Sequence, residues 1–137
     1  MQNAKWDIRV LRNNKMPVPK NIVDTMIAAY CLGLGKQEVR DEETYGDAGM
    51  IGGLGLKYLA RRHLGMQMST WQETKDHPEM IPEYNAKDSV ATYLLWEKWN
   101  EKLPKFFWEI DMPLLGTIMA MEDRGISIDP RFLHNFT

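Results

Sequence analysis

The sequence contains one cysteine, Cys31, and no uninterrupted apolar run that approaches the roughly 20 residues needed to span a bilayer. A lone cysteine cannot form an internal disulfide, which excludes a disulfide-stabilised domain and fits a reducing cytoplasm. The first residues, 1–7, also lack the apolar stretch of a secretory signal. We therefore expect a soluble cytoplasmic protein with no membrane partner, in which Cys31 is a small core residue.

The sequence has no excess of basic residues. Lys and Arg number 17 against 19 Asp and Glu, for a net charge of -2. Any contact with nucleic acid must then depend on local charge or on bound metal cations. The three histidines, at positions 63, 77 and 134, are isolated, so zinc chemistry is not expected. A length of 137 residues predicts one domain or part of one.

Helical spacing of apolar residues predicts helices at about 3–11, 24–32, 54–63, 82–102 and 106–121, with a further helical start at Pro130. The expected N-caps of the first two are Asn3 and Asp24, and Gly65 should end the third. Short strands are predicted at 21–23 and 126–129. In the long helix that Pro82 opens, the buried stripe should comprise Val90, Ala91, Leu94, Leu95 and Trp99.

Two charged stretches have more than one interpretation. The basic side chains Lys57, Arg61 and Arg62 indicate a solvated helix face, with a phosphate-facing patch as the alternative. The glycine- and charge-rich stretch 33–53 is expected to be an exposed, mobile loop. Its Asp41-Glu42-Glu43 fits D-x-E, but no apolar strand surrounds it, so a charged loop is the expected structure.

Tyr84 and Asp88 are four residues apart on the predicted long helix, which stacks a phenol and a carboxylate about one turn, ~5.4 Å, from each other. One interpretation is a solvated carboxylate beside a half-buried tyrosine. The other is a metal-ligating carboxylate with a phenol that orients a water, as two-metal hydrolysis of a phosphodiester requires. The spacing alone leaves both open.

Three stretches together resemble the tyrosine-containing branch of the DEDD nucleases, and specifically the proofreading domain of family A DNA polymerases of the bacterial polymerase I type. Residues Asn3-Ala4-Lys5-Trp6-Asp7 resemble the second exonuclease motif, with Trp6 in place of the usual Tyr or Phe. Residues Tyr84-Asn85-Ala86-Lys87-Asp88 resemble the third. The segments 109–115 and 121–129 resemble the connection from the exonuclease into the polymerase, which general nucleases of this class lack.

The resemblance covers nearly the whole chain and implies an α/β fold of the ribonuclease H-like exonuclease type. Only its mostly helical C-terminal half is expected here, with about five or six helices and one or two short strands. Residues 1–103 would be the C-terminal part of the exonuclease domain, and 104–137 a connecting helix and the start of the polymerase domain. The first motif, a D-x-E on a central strand, ought to precede Asn3 and is not in this sequence, so we expect an excerpt of something larger.

The resemblance also implies the site residues. Asp88 would ligate one of two divalent cations, Mg²⁺ or Mn²⁺, and Asp7 the other, while Tyr84 would position the attacking water. Asn3 and Lys5 would contact the single-stranded DNA 3′ end. Two of the four acids are lacking, so the chain alone should be inactive, and a separate chain could supply the D-x-E strand and the polymerase.

The setting that this resemblance implies is the cytoplasm of a bacterial or phage-infected cell. Two alternatives to the proofreading exonuclease remain. One is a non-catalytic remnant or interaction piece that completes the fold of a partner. The other is an RNA-trimming nuclease of the same class, against which the segments 109–115 and 121–129 argue.

Overall fold

The structure of the protein, a computed structural model, describes residues 1–35 and 53–131. Within these residues the chain forms six α-helices: α1 Ala4–Asn13, α2 Thr25–Cys31, α3 Leu56–Leu64, α4 Trp71–Thr74, α5 Ile81–Trp99 and α6 Met112–Arg124. Short 3-10 turns at Pro78–Met80 and Asn100–Lys102 flank α5. The helices fall close to the predicted positions, and the short α4 is one that periodicity did not indicate.

Both predicted strands are wrong for the described part of the chain. Residues 21–23 and 126–129 are extended or irregular and carry no strand. A strand needs a neighbour for its backbone groups, and residues 21–23 find only the chain start. The Met1 ammonium donates to the Val23 carbonyl at 2.9 Å, and the Thr25 N–H donates to the Met1 carbonyl at 2.9 Å. The mostly helical character is confirmed, and the α/β character is not visible in these residues.

Asp24 joins the starts of the first two helices. Its Oδ1 accepts the N–H of Met26 at 2.8 Å, which confirms it as the N-cap of α2. The same carboxylate accepts the N–H of Asn3 at 3.0 Å and of Ala4 at 2.7 Å. Asn3 precedes α1 as predicted, but its backbone is left-handed (φ 60°) and its side chain caps nothing. The prediction of Asn3 as the capping side chain is therefore wrong, and the side-chain acceptor at the start of α1 is instead the Asp24 carboxylate.

Two apolar clusters hold the helices together. In the first, Leu59 of α3 and Leu95 and Trp99 of α5 pack with Ala29 of α2 and with Leu54. In the second, Ala4 and Ile8 of α1 pack with Leu115 and Met119 of α6. Burial of these side chains against one another is the main source of stability that the described residues provide.

The buried stripe of α5 is narrower than predicted. Ala91, Leu95 and Trp99 are buried at a spacing of four, as expected. Val90 and Leu94, predicted to be buried, are 51% and 39% exposed. They lie about 100° around the helix from their buried neighbours, on a more exposed side of α5.

Cys31 is not the core residue that its apolar neighbours suggested. It is half-buried, and its thiol donates to Asp111 Oδ2 at 3.3 Å. Burial and then this contact raise the pKa of Cys31 to about 12, so the thiol stays protonated and unreactive at neutral pH.

The last helical segment is interrupted near its prolines. Pro104 follows an extended Leu103, a π-helical turn covers Phe107–Asp111, and α6 then runs to the left-handed Gly125. Pro113 has no N–H to give to the carbonyl four residues earlier, which favours such an irregular turn just ahead of it. A helical turn begins at Pro130 and Arg131. The predicted loop at 33–53, including Asp41-Glu42-Glu43, lies for the most part outside the described residues.

No helix among residues 1–35 and 53–131 combines the length and the apolar character that crossing a bilayer would require.

Gly65 ends α3 in the left-handed conformation (φ 67°, ψ 14°), as its sequence position predicted. A Cβ there would have open space but a strained backbone. We expect Gly65→Ala to lower the free energy of unfolding by about 1 kcal/mol.

Gly116 also has open space around it but lies inside α6, so Gly116→Ala should raise the free energy of unfolding by about 0.5–1 kcal/mol. Urea titration checks both, and equal effects at the two positions would contradict this account.

Candidate active site

An open cleft of about 890 Å³ lies between the chain start, α1, α3 and α5. Three of the predicted site residues, Asp7, Tyr84 and Asp88, line it. Met1, Gln2 and the segment around Val23 form the opposite part of its wall. Two acids separated by most of the chain, and a phenol, thus face a common space.

Asp7 reaches the cleft from the first turn of α1. Its side chain is half-buried, and burial raises the pKa of Asp7 above its ordinary value. The ammonium of Met1 opposes this shift, and the nearby Asp24 adds to it. Carboxylates that burial makes costly to ionise are common in functional sites.

Tyr84 and Asp88 reach the cleft from α5, one turn apart. The Asp88 side chain is 27% exposed, and its Oδ1 is in direct contact with the Lys57 ammonium of α3. That ammonium also lies over the Tyr84 ring, 4.0 Å from the ring centroid. The ring also meets Trp71 edge-on, with 6.1 Å between centroids. Asp88 is therefore an ion-paired carboxylate with little freedom.

Lys57 is the site residue that sequence reasoning missed. Arg61 and Arg62 are exposed as predicted, but the Lys57 side chain is only 17% exposed and faces the cleft. The prediction of Lys57 as part of a solvated face is wrong because α5 packs against α3 and the Lys57 ammonium pairs with Asp88 there. The sequence offered one signal for this difference. Lys57 is the second residue of α3, whereas Arg61 and Arg62 lie at least one turn further along the helix.

The two residues predicted to contact DNA do not line this cleft. Lys5 pairs with Glu122 of α6 at 2.5 Å, and Arg9 pairs with Glu122 at 2.8 Å and Asp123 at 3.0 Å. Asn3 gives its backbone N–H to Asp24. Lys5 is therefore part of an ionic contact between α1 and α6.

The donors in the cleft fit part of a divalent-cation site. Mg²⁺ prefers oxygen ligands and is commonly bound by one or two carboxylates together with several waters. Asp7 and Asp88 provide that number of carboxylates at the cleft. Among residues 1–35 and 53–131, however, no three metal-ligating side chains come together. These two acids would make a partial site.

The raised pKa of Asp7 predicts how stability changes with pH. A raised pKa means that the folded chain binds this proton more tightly than the unfolded chain, so stability falls as pH rises from the ordinary aspartate value of about 3.9 through the folded value. Asp7→Asn should therefore be more stable than the wild type at pH 7, and the difference should vanish near pH ~3. Urea unfolding at both pH values measures this. The matched Asp76→Asn, at an exposed position, should show no such difference, and a less stable Asp7→Asn at pH 7 would contradict the prediction.

Residues 1–104 match the sequence model of the 3′-5′ exonuclease family of family A DNA polymerases. The chain belongs to this family, and the resemblance seen in its motifs is confirmed. Over its whole length it is also similar to DNA polymerase I of Synechocystis sp., with 35% identity over 146 aligned residues. DNA polymerase I of Borreliella burgdorferi is 30% identical over 142 aligned residues, which include 96% of this chain.

The chain spans 14% of the length of each of these two relatives. No solved structure gives a significant match.

Proposed function

We propose that this chain supplies the part of a 3′-5′ proofreading exonuclease that carries two of its four metal-site acids, Asp7 and Asp88. The observation that carries the proposal is the cleft that both acids line together with Tyr84. Family membership supports the reaction class, which is hydrolysis of a DNA 3′ end. A neighbouring segment, of this or another polypeptide, would provide the remaining two acids.

Each residue has a defined task in this proposal. Asp88 and Asp7 would hold the two divalent cations, which when bound neutralise charge on the attacking and leaving oxygens of the phosphodiester. The Tyr84 hydroxyl would orient the attacking water by a hydrogen bond. Its ring is suited to this because Trp71 and the Lys57 ammonium both pack against it, which favours a fixed orientation. Asn3 and Lys5 would lie along the path of the DNA end.

A second candidate is an interaction piece without catalysis that completes the fold of a partner. The exposed apolar side chains of α5 favour it, since Val90, Tyr93 and Leu94 are 51%, 60% and 39% exposed at helical spacing. Contiguous apolar surface of this kind is typical of a face that another chain covers. The exposed apolar surface is compatible with both candidate functions. They differ in whether Asp7 and Asp88 act on DNA.

The test is to mix the 137-residue chain with a synthetic segment that carries D-x-E on an apolar strand, and to follow release of nucleotides from single-stranded DNA with Mg²⁺. We expect trimming from the 3′ end in the mixture and none from the chain alone. The control is a segment whose two acids are replaced by alanine. A segment that binds the chain without producing any trimming would favour the second candidate, and trimming by the chain alone that Asp88→Ala abolishes would refute the expected inactivity.

A further inference from the structure

We propose that the Lys57 ammonium neutralises the Asp88 carboxylate when no divalent ion is bound to it. The ammonium has to move away from Asp88 before an ion can bind. Lys57 would thus be a positioning residue that sets the affinity of the Asp88 position for metal. This inference rests on the proposed function, because it takes Asp88 to be a metal ligand.

The first support is the arrangement of the three side chains. The Lys57 ammonium contacts the Asp88 carboxylate and at the same time covers the Tyr84 ring at 4.0 Å. These are the carboxylate and the phenol to which the proposed reaction assigns roles. A cation that contacts both holds them in place and neutralises the carboxylate, as a bound metal ion would.

The second support is burial. Both partners are mostly covered, at 17% and 27% side-chain exposure. The neighbouring pair Lys87–Glu83, one turn apart on α5, is 46% and 70% exposed. A surface pair of that kind exchanges readily with water and salt and contributes little. The Lys57–Asp88 contact is less screened, so a cation that approaches Asp88 meets a competing positive charge.

The third support is room for the ammonium to move. A small cavity of about 60 Å³ adjoins the cleft, and Lys57, Glu83, Tyr84 and Asp88 all line it. A lysine has a flexible four-carbon stem, so its ammonium can move from Asp88 toward Glu83 without any backbone change. Glu83, whose Oε1 already pairs with Lys87, is a second carboxylate that lines this cavity, so a displaced Lys57 ammonium would share it with Lys87.

The test measures binding of Mn²⁺ to the 137-residue chain by the loss of the free-ion signal in electron paramagnetic resonance. Lys57→Met keeps the length of the side chain and removes its charge. We expect it to bind Mn²⁺ about tenfold more tightly than the wild type, a factor scaled down for partial exposure of the pair. Lys57→Arg, which keeps the charge, should bind like the wild type. Lys105→Met removes the lysine of an exposed pair with Glu109 that lines neither cavity, so it is the matched control and should stay within about twofold of the wild type.

A further variant assigns the effect to Asp88. Lys57→Met combined with Asp88→Asn should lose the gain, because the freed ligand is no longer a carboxylate. The proposal is overturned if Lys57→Met binds Mn²⁺ no more tightly than the wild type, including the case in which neither binds, or if the gain persists without the Asp88 carboxylate. This test uses the metal ion alone as the probe. If the mixture with the D-x-E segment did not trim DNA, the proposed exonuclease function would fail, but the expected order of Mn²⁺ affinities among the variants would stay the same.

Discussion

Replacement of Asp24 by alanine is expected to destabilise the fold more than loss of the Gly65 cap or of any exposed charge. Asp24 is 1% exposed, and its carboxylate accepts the N–H groups of Asn3, Ala4 and Met26. The change would leave three donors at two helix starts without their acceptor. We expect Asp24→Ala to lower the free energy of unfolding by about 3–5 kcal/mol, a large part of the stability of a small domain. Urea titration followed by circular dichroism measures it.

Two further variants separate the capping role from a general effect of lost charge. Asp24→Asn keeps the shape and one acceptor oxygen, so it should fall between the wild type and Asp24→Ala. Asp76→Ala removes an exposed aspartate and should change the free energy of unfolding by less than about 0.5 kcal/mol. If Asp24→Ala and Asp76→Ala proved equally stable, the two-helix cap would not be a source of stability.

Replacement of Asp88 by alanine is expected to have the largest effect on activity. In the mixture of this chain with the D-x-E segment, we expect Asp88→Ala to lower the rate of 3′-end trimming by more than about 100-fold. Loss of a residue that only supports a metal ligand costs up to about 100-fold, and loss of the ligand itself should cost more. The physical reason is that the proposed ligand itself is lost. Single-turnover trimming of a labelled DNA strand with Mg²⁺ measures the rate.

The matched control is Glu97→Gln, an exposed acid more than two turns further along the same helix. It should leave the rate within about twofold, which is the scale of a surface substitution. Circular dichroism of Asp88→Ala is needed as well, because Lys57 loses its ion-pair partner in this variant. Trimming that survives in a folded Asp88→Ala would remove Asp88 from the proposed reaction.

Local signals predicted the helices well. Pro82 marked the start of α5, Gly65 the end of α3 and Asp24 the start of α2, each within a residue or two of the structure. Those signals depend on backbone geometry and on hydrogen bonds within one turn, which a short stretch of sequence contains. The π-helical turn before Pro113 follows from the same kind of local rule.

Contacts between distant segments were not predictable in this way. The second helix start that Asp24 caps lies 20 residues away, and the Lys57–Asp88 contact joins positions 31 apart. Burial of Val90 was predicted from helical spacing, but exposure depends on which helices lie beside α5. The strand at 21–23 failed for a related reason, since a strand needs a paired neighbour that these residues do not have among the described part of the chain.

The site was predicted only through its resemblance to a family. Spacing put Tyr84 and Asp88 on one side of α5 and left two interpretations open, and nothing in the spacing connected them to Asp7. The cleft that all three line makes the metal-ligand interpretation the more economical one. The assignment of roles to these residues stays a prediction, as does the domain boundary at 103–104.

The contact between the first and last helices couples that boundary to the cleft. Ile8 of α1 packs on Leu115 and Met119 of α6. Lys5 and Arg9 of α1 pair with Glu122 of α6. Asp7 lies on α1 between Lys5 and Arg9. The residues of α6, which lie past the matched exonuclease segment, therefore pack directly on the helix that carries one of the proposed catalytic acids.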